Sequence, residues 1–273
     1  MLAAVIGYPV VQAVWRSFFS DPVAKTPEFV GLDNYVKVLA GDLSEQFWAS
    51  IHTTLFFSIA SVTLEVLIGL AMALVMNRAF RGRAIVRASI LVPWAIPTAV
   101  AAVMWKWVFN VGGVANSLLG ASILWTGAEW PAKTAIIIAD VWKTAPFIGL
   151  LTLAGLQAIP ADLYEAARVD GAGPVRSFFS ITLPLVRPAL VVAVLFRLLD
   201  VLRIYDLPQI FTNGSNNTMT LSILVVRQSI GALKAGVGSA LSTLTFLIIF
   251  AIAIAYIRML GANVMAGRDG SES

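Results

Sequence analysis

The chain has 273 residues, 59% of them hydrophobic and only 12% charged, with a mean hydropathy of +0.85. A soluble domain of this length carries about a quarter charged residues, so the composition excludes one and points to lipid. The net charge of +4 is small and implies no nucleic-acid partner, while zero cysteines exclude disulfides and thiolate metal sites.

Apolar runs fall at 2–19, 49–76, 87–109, 133–157, 186–206 and 238–260. Each meets the ~18–20 residues that cross a ~30 Å hydrocarbon core, which predicts an all-α polytopic membrane protein with six transmembrane helices in one domain over 1–273. The first run lacks a basic leader and a small-residue cleavage site, and Pro9 interrupts it. It therefore reads as a membrane helix with a trimmed start rather than a signal peptide. Segment 20–48 carries Lys25 and Lys37 against five acids, whereas 77–87 carries Arg78, Arg81, Arg83 and Arg87. Positive charge stays on the cytoplasmic side, so 77–87 lies inside and 20–48 outside. Alternation then puts 110–132 and 207–237 outside, and 158–185 and both termini inside, with Arg258 and Arg268 in the tail. Trp105, Trp107, Trp125 and Trp130 suit an outer aromatic belt, and Lys106 snorkels to the same interface.

Ionisable groups within the apolar runs are costly in lipid and face a partner or a cavity. Glu65 in the second run reads as a brace between helices. Asp140, Trp142 and Lys143 precede Pro146 in the fourth run, an aromatic beside two charges where a kink frees carbonyls. His52 has no companion ligand, so no metal or proton relay is read from it.

Residues 158–185 form a short amphipathic island. Pro160 starts a helix through Glu165, Ala166 and Ala167, and Gly171, just after Asp170, ends it. Pro174 opens a second helix, which Pro184 and Pro188 stop. Such a helix–turn–helix fits another protein's groove. In the fifth run Arg197, Asp200, Arg203 and Asp206 recur every three residues, an alternating-charge stripe on one helix. Two readings stand: ion pairs that brace the bundle, or a hydrated path for a hydroxylated solute with Asp200 and Arg203 as its preferred pair. The outer loop 207–237 holds Asn213-Gly214 and further amides that can also touch solute, and Met219–Ile230 can form a surface or re-entrant helix.

Glu165-Ala166-Ala167, three residues, Gly171, nine residues, then Ile181-x-Leu183-Pro184 resembles the EAA motif of bacterial ATP-binding-cassette importer permeases. From about Tyr8 to Gly261 the chain resembles the carbohydrate-importer (maltose-type, binding-protein-dependent) branch, and it is most similar to trehalose permeases of mycobacterial type. Val141–Phe147, Ala158–Glu165, Phe196–Asp206 and Gly214–Thr218 carry this likeness. The resemblance implies a type I importer permease fold whose cytoplasmic coupling helix docks on a separate ATPase through Glu165, Ala166, Ala167, Asp170, Gly171 and Pro184. It implies a sugar path, for a disaccharide such as trehalose, along Asp140, Trp142, Lys143, Asp200, Arg203, Tyr205, Asp206 and Asn213. Implied partners are a second permease, two ATPase subunits that bind ATP and Mg, and an extracellular binding protein or lipoprotein, all at the bacterial plasma membrane. No Gly-x-x-x-x-Gly-Lys-Ser/Thr occurs, so this chain is a transport subunit with no cofactor and not the ATPase. The alternative is a proton-coupled secondary sugar carrier using the charged fifth helix; an intramembrane enzyme lacks a catalytic constellation.

Overall fold

A computed structural model describes residues 2–21 and 26–261. Lys25, Arg268 and the C-terminal tail used above for orientation lie outside the described residues. The described residues are all-helical, apart from one isolated antiparallel bridge between Phe19 and Phe29. In order they form α1 (Leu2–Arg16), α2 (Asp33–Leu39), α3 (Ser44–Asn77), α4 (Arg83–Ala95), α5 (Thr98–Val108), α6 (Val114–Leu119) and α7 (Glu129–Gln157). There follow α8 (Ala161–Val169), α9 (Pro174–Ser177), α10 (Leu183–Val201), α11 (Asp206–Thr212), α12 (Leu221–Val226) and α13 (Ala235–Tyr256). Wider π turns extend α9, α12 and α13 at Phe178–Thr182, Arg227–Gly231 and Ile257–Gly261.

Four helical stretches are long and apolar enough to cross a membrane: 44–77, 129–157, 174–201 and 235–260. The run at 87–109 is instead broken into α4 and α5, bent by 96°, and makes a fifth span only if the pair counts as one. Pro97 explains the break: it pushes the preceding residue out of the helical region, and Ile96 is extended at φ −74°, ψ 132°. α1 has 15 residues, about 22 Å of helix, which falls short of the core thickness. The described helices thus give four or five spans where six were expected.

The fifth run also ends early. α10 stops at Val201 and the chain restarts as α11 at Asp206. Pro208 cannot donate to the carbonyl of Ile204, which an uninterrupted helix would require, and that carbonyl accepts from Thr220 Oγ1 at 2.8 Å instead.

The described residues divide into two compact units. The first takes residues up to Phe57 with 106–134 and 202–252; the second takes 58–105, 135–201 and those from Ala253 onward. The first unit is centred on Val38, Leu43, Phe47, Leu221, Leu224, Val237 and Leu241. Here the segment 207–237 is structured: α11, a turn of left-handed residues at Asn213, Gly214, Asn216 and Asn217, and α12, whose Leu221 and Leu224 enter the core. Asp21 accepts from the amides of Gly236 and Val237, capping α13 from a distant part of the chain. Gly236 is required by this close approach, since a Cβ there would strike the Phe19 carbonyl.

In the second unit Ala73, Met76, Leu153, Leu156 and Val186 join α3, α7 and α10. Small residues let these helices touch, as membrane packing favours. A Cβ on Gly149 would lie 3.1 Å from the Gly69 carbonyl, and one on Gly155 only 2.5 Å from Ala189 Cβ. Arg87 donates twice to the Met76 carbonyl, at 3.0 and 2.7 Å, and so closes the C-terminal end of α3.

Candidate functional site

The 158–185 island folds as its punctuation dictates. Pro160 is the residue before α8, and Asp162 sits in the helix's first turn, where negative charge suits the exposed amides. Gly171 follows at φ +76°, its amide bonded to the Arg168 carbonyl at 3.1 Å. The amide of Ala172 reaches back to the Ala167 carbonyl at 2.8 Å. These two bonds are the Schellman pair that ends a helix on a left-handed residue. Pro174 then occupies the first position of α9, and Tyr164 Oη lies 3.0 Å from Thr182 Oγ1, fastening α8 to the π turn.

One expectation is corrected. Pro184 and Pro188 do not stop the second helix; α9, the π turn and α10 run on as one stretch, 174–201. The π turn explains this, because the Leu183 amide reaches five residues back to Phe178 and loosens the ladder just where Pro184 has no donor.

No residue of α8 or α9 is buried. Val169, Val175 and Phe179 are 87%, 71% and 62% exposed, an apolar surface left open among the described residues. Glu165 lies beyond the first turn, so it does not serve its own helix terminus, and its carboxylate bonds to no described residue. Ala166, Asp170 and Pro184 are exposed beside it, and Ala167 is half-buried.

The charges inside the membrane runs are arranged differently from a single stripe. Arg197, 3% exposed, is the hub. Its Nε and Nη2 donate to the two oxygens of Glu65 on α3, at 2.6 and 2.9 Å. Nη2 also reaches Asp140 Oδ2 on α7 at 2.5 Å, and Nη1 reaches Asp200 Oδ2 on its own helix at 2.6 Å. Thr144 Oγ1 stands 2.5 Å from Glu65 Oε1 and 2.6 Å from the Asp140 carbonyl, sharing one proton between them. Glu65 is the brace the sequence suggested. Asp140 departs from the expected path role: at 4% exposure its carboxylate is taken up by Arg197. Asp200 has a 71% exposed side chain and offers its second oxygen outward. Trp142 packs edge-on against Trp105 at 5.5 Å, and Lys143, 8% exposed, donates to the Trp94 carbonyl at 3.4 Å.

Arg203 and Asp206 leave the stripe because α10 has ended. Arg203 is exposed in the turn, Tyr205 precedes α11, and Asp206 opens it, half-buried. Asn213 caps α11 in the left-handed conformation; its Oδ1 accepts from Gln209 at 2.7 Å and its carbonyl from Arg227 at 2.8 Å. Lys106 Nζ donates to the Ile210 carbonyl at 2.6 Å, near the same helix end. Trp125 is buried and bonded to Asn116 Oδ1 at 2.8 Å, while Trp107 and Trp130 stay exposed as a belt would require.

Sequence reasoning missed Arg197 as the centre and Thr144 altogether. A signal existed: Glu65 and Asp140 are the lone acids of their runs, and each buried acid needs a cation.

Residues 65–264 match the family described as binding-protein-dependent transport system inner membrane component. The chain belongs to that family. It is 44% identical over 259 residues to the trehalose/maltose transport system permease protein MalF of Thermococcus litoralis, covering 92% of this chain and 86% of the relative. It is 40% identical over 272 residues to the trehalose transport system permease protein SugA of Mycobacterium tuberculosis, covering 98% and 87%. The fold matches a chain of a bacterial ABC transporter that imports the acidic polysaccharide alginate, with a TM-score of 0.83 at 21% identity over 96% of this chain and 91% of that one. The permease is therefore a multi-pass inner-membrane subunit of an importer that works with a binding protein and an ATPase. It is not the catalytic subunit and holds no cofactor of its own. A proton-coupled secondary carrier does not fit this family.

Proposed function

We propose that the permease moves a disaccharide of the trehalose and maltose kind, driven by ATP hydrolysed on partner chains. The observation that carries this reading is the helix–turn–helix at 161–182, which no other described element covers, with the Glu165 carboxylate free of any described partner and an apolar surface around Val169, Val175 and Phe179. That shape suits a groove on an ATPase, which would push on the loop as it closes around nucleotide. Glu165 pairs there with a basic residue of the ATPase, and Ala166, Ala167 and Asp170 line the contact. The names of the two relatives, at 44% and 40% identity, support the sugar class.

The full assembly is a second homologous permease, two ATPase subunits and an external solute-binding protein or lipoprotein. The topology is the six-crossing type I form, with α1 and the broken pair α4–α5 counted as crossings and both termini in the cytoplasm. This rests on arginines clustered at 78–87 and around the 161–182 loop. Hydroxyl-binding groups fall in both units. In the second, exposed Asp200 and the Trp142–Lys143 pair serve; in the first, Arg203, Tyr205, Asp206 and Asn213 do.

Reconstituted with its partners in liposomes, the permease should take up labelled trehalose or maltose only when ATP is inside. Asp200→Asn should raise the KM for sugar about tenfold, the loss of one charge-assisted hydrogen bond, with the ATPase retained. Uptake without ATP, or an unchanged KM, would count against the reading.

A further inference from the structure

We propose that Arg197 is a positioning residue for transport: it locks α3, α7 and α10 into one lever that carries the coupling loop. The inference rests on the reading of 161–182 as that loop. α7 enters the loop at Gln157 and α10 leaves it at Leu183, so a push on the loop acts on both helices.

Near the loop the three helices are fastened by apolar contact, with Gly155 against Ala189 and Val186, and Leu153, Leu156, Ala73 and Met76 around them. Eight residues further along α10, about 12 Å, Arg197 fastens the same three helices again. The two fastenings differ in kind. Apolar attraction has no preferred direction, so this contact resists separation more than small sliding. A guanidinium gripping carboxylates on two neighbouring helices fixes their register, since its donors form a rigid planar fork. Helices held at one level can pivot; held at two, they move together.

The composition of the upper fastening supports this over a purely stabilising role. A buried charge network contributes little net stability compared with apolar residues of the same volume, and its best-attested use is to specify one arrangement. The Asp200 limb reaches the exposed side of the network, so the register set within the unit extends to a group open to solute.

The test uses the complete complex with cysteine-free partner subunits; this chain itself contains no cysteine. Arg197→Lys keeps the charge but loses the fork. The triple change R197M/E65Q/D140N removes the charges and keeps the volume. Both variants should assemble and hydrolyse ATP, yet move about tenfold less sugar per ATP, within the usual range of coupling energies. Spin labels introduced by Leu67→Cys on α3 and Val192→Cys on α10, both exposed, should give one narrow distance in the parent with and without ATP. In both variants that distribution should broaden. An unchanged distance with unchanged sugar per ATP overturns the proposal. So does a raised sugar KM at unchanged stoichiometry, which would assign the network to solute. Loss of assembly in both variants overturns it as well, leaving a folding role alone. Failure of the loop reading looks different: the distance still broadens in Arg197→Lys, while changes at Gly171 leave uptake intact.

Discussion

Arg197→Ala is expected to remove most of the folded permease from the membrane, measured as monodisperse protein after solubilisation. The change leaves Glu65 and Asp140, at 0% and 4% exposure, with no guanidinium between them. Breaking a buried ion pair by deleting one partner costs about 3–5 kcal/mol, a large share of the roughly 5–15 kcal/mol that holds a typical fold. The loss is chiefly stranded negative charge rather than missing attraction. Neutralising all three groups as R197M/E65Q/D140N should therefore restore most of the yield, even though it removes every salt bridge to Glu65 and Asp140. A triple variant as poorly folded as Arg197→Ala would show instead that the fold depends on the charges themselves.

Gly171→Val is expected to cut ATP-driven uptake by about tenfold or more while the assembled complex still hydrolyses ATP. Gly171 holds φ +76° with open space around it, so the difficulty for valine is the backbone and not a clash. A β-branched residue in that conformation costs about 1–2 kcal/mol or more, which the turn can shed only by changing the angle between α8 and α9. At about 1.4 kcal/mol per factor of ten, a bias of that size is enough to spoil docking. Gly171→Asn should keep most of the uptake, because asparagine tolerates the left-handed region, as Asn213, Asn216 and Asn217 do in this chain. Equal uptake by the valine and parental forms would remove the turn from the mechanism.

The helix–turn–helix at 158–185 was legible because its information is local. Pro160, Gly171 and Pro174 act on their own backbone, and the structure places helix ends within a residue of where they point. The long uniform runs at 49–76, 133–157 and 238–260 were legible for the same reason. The run at 87–109 was not, since hydropathy counts residues and ignores Pro97, which bends the chain by 96°. The stripe from Arg197 to Asp206 failed in a related way. Its three-residue spacing holds only while the helix lasts, and Pro208 imposes a break that begins at Leu202. Partnership across helices left the weakest trace: nothing in the spacing of Glu65, Asp140 and Arg197, 132 and 57 residues apart, states that they meet. Only the cost of burying each acid alone could have joined them.

On the proposed function, the helix–turn–helix at 161–182 sits on the ATPase. A photo-crosslinking amino acid in place of Glu165 tests it directly in the assembled complex, with the same probe at Ser215, in the turn after α11, as the control. A covalent adduct is expected between position 165 and the ATPase subunit, and none from position 215. An adduct from position 165 with the external binding protein, or no ATPase adduct in a complex that still transports, would contradict it.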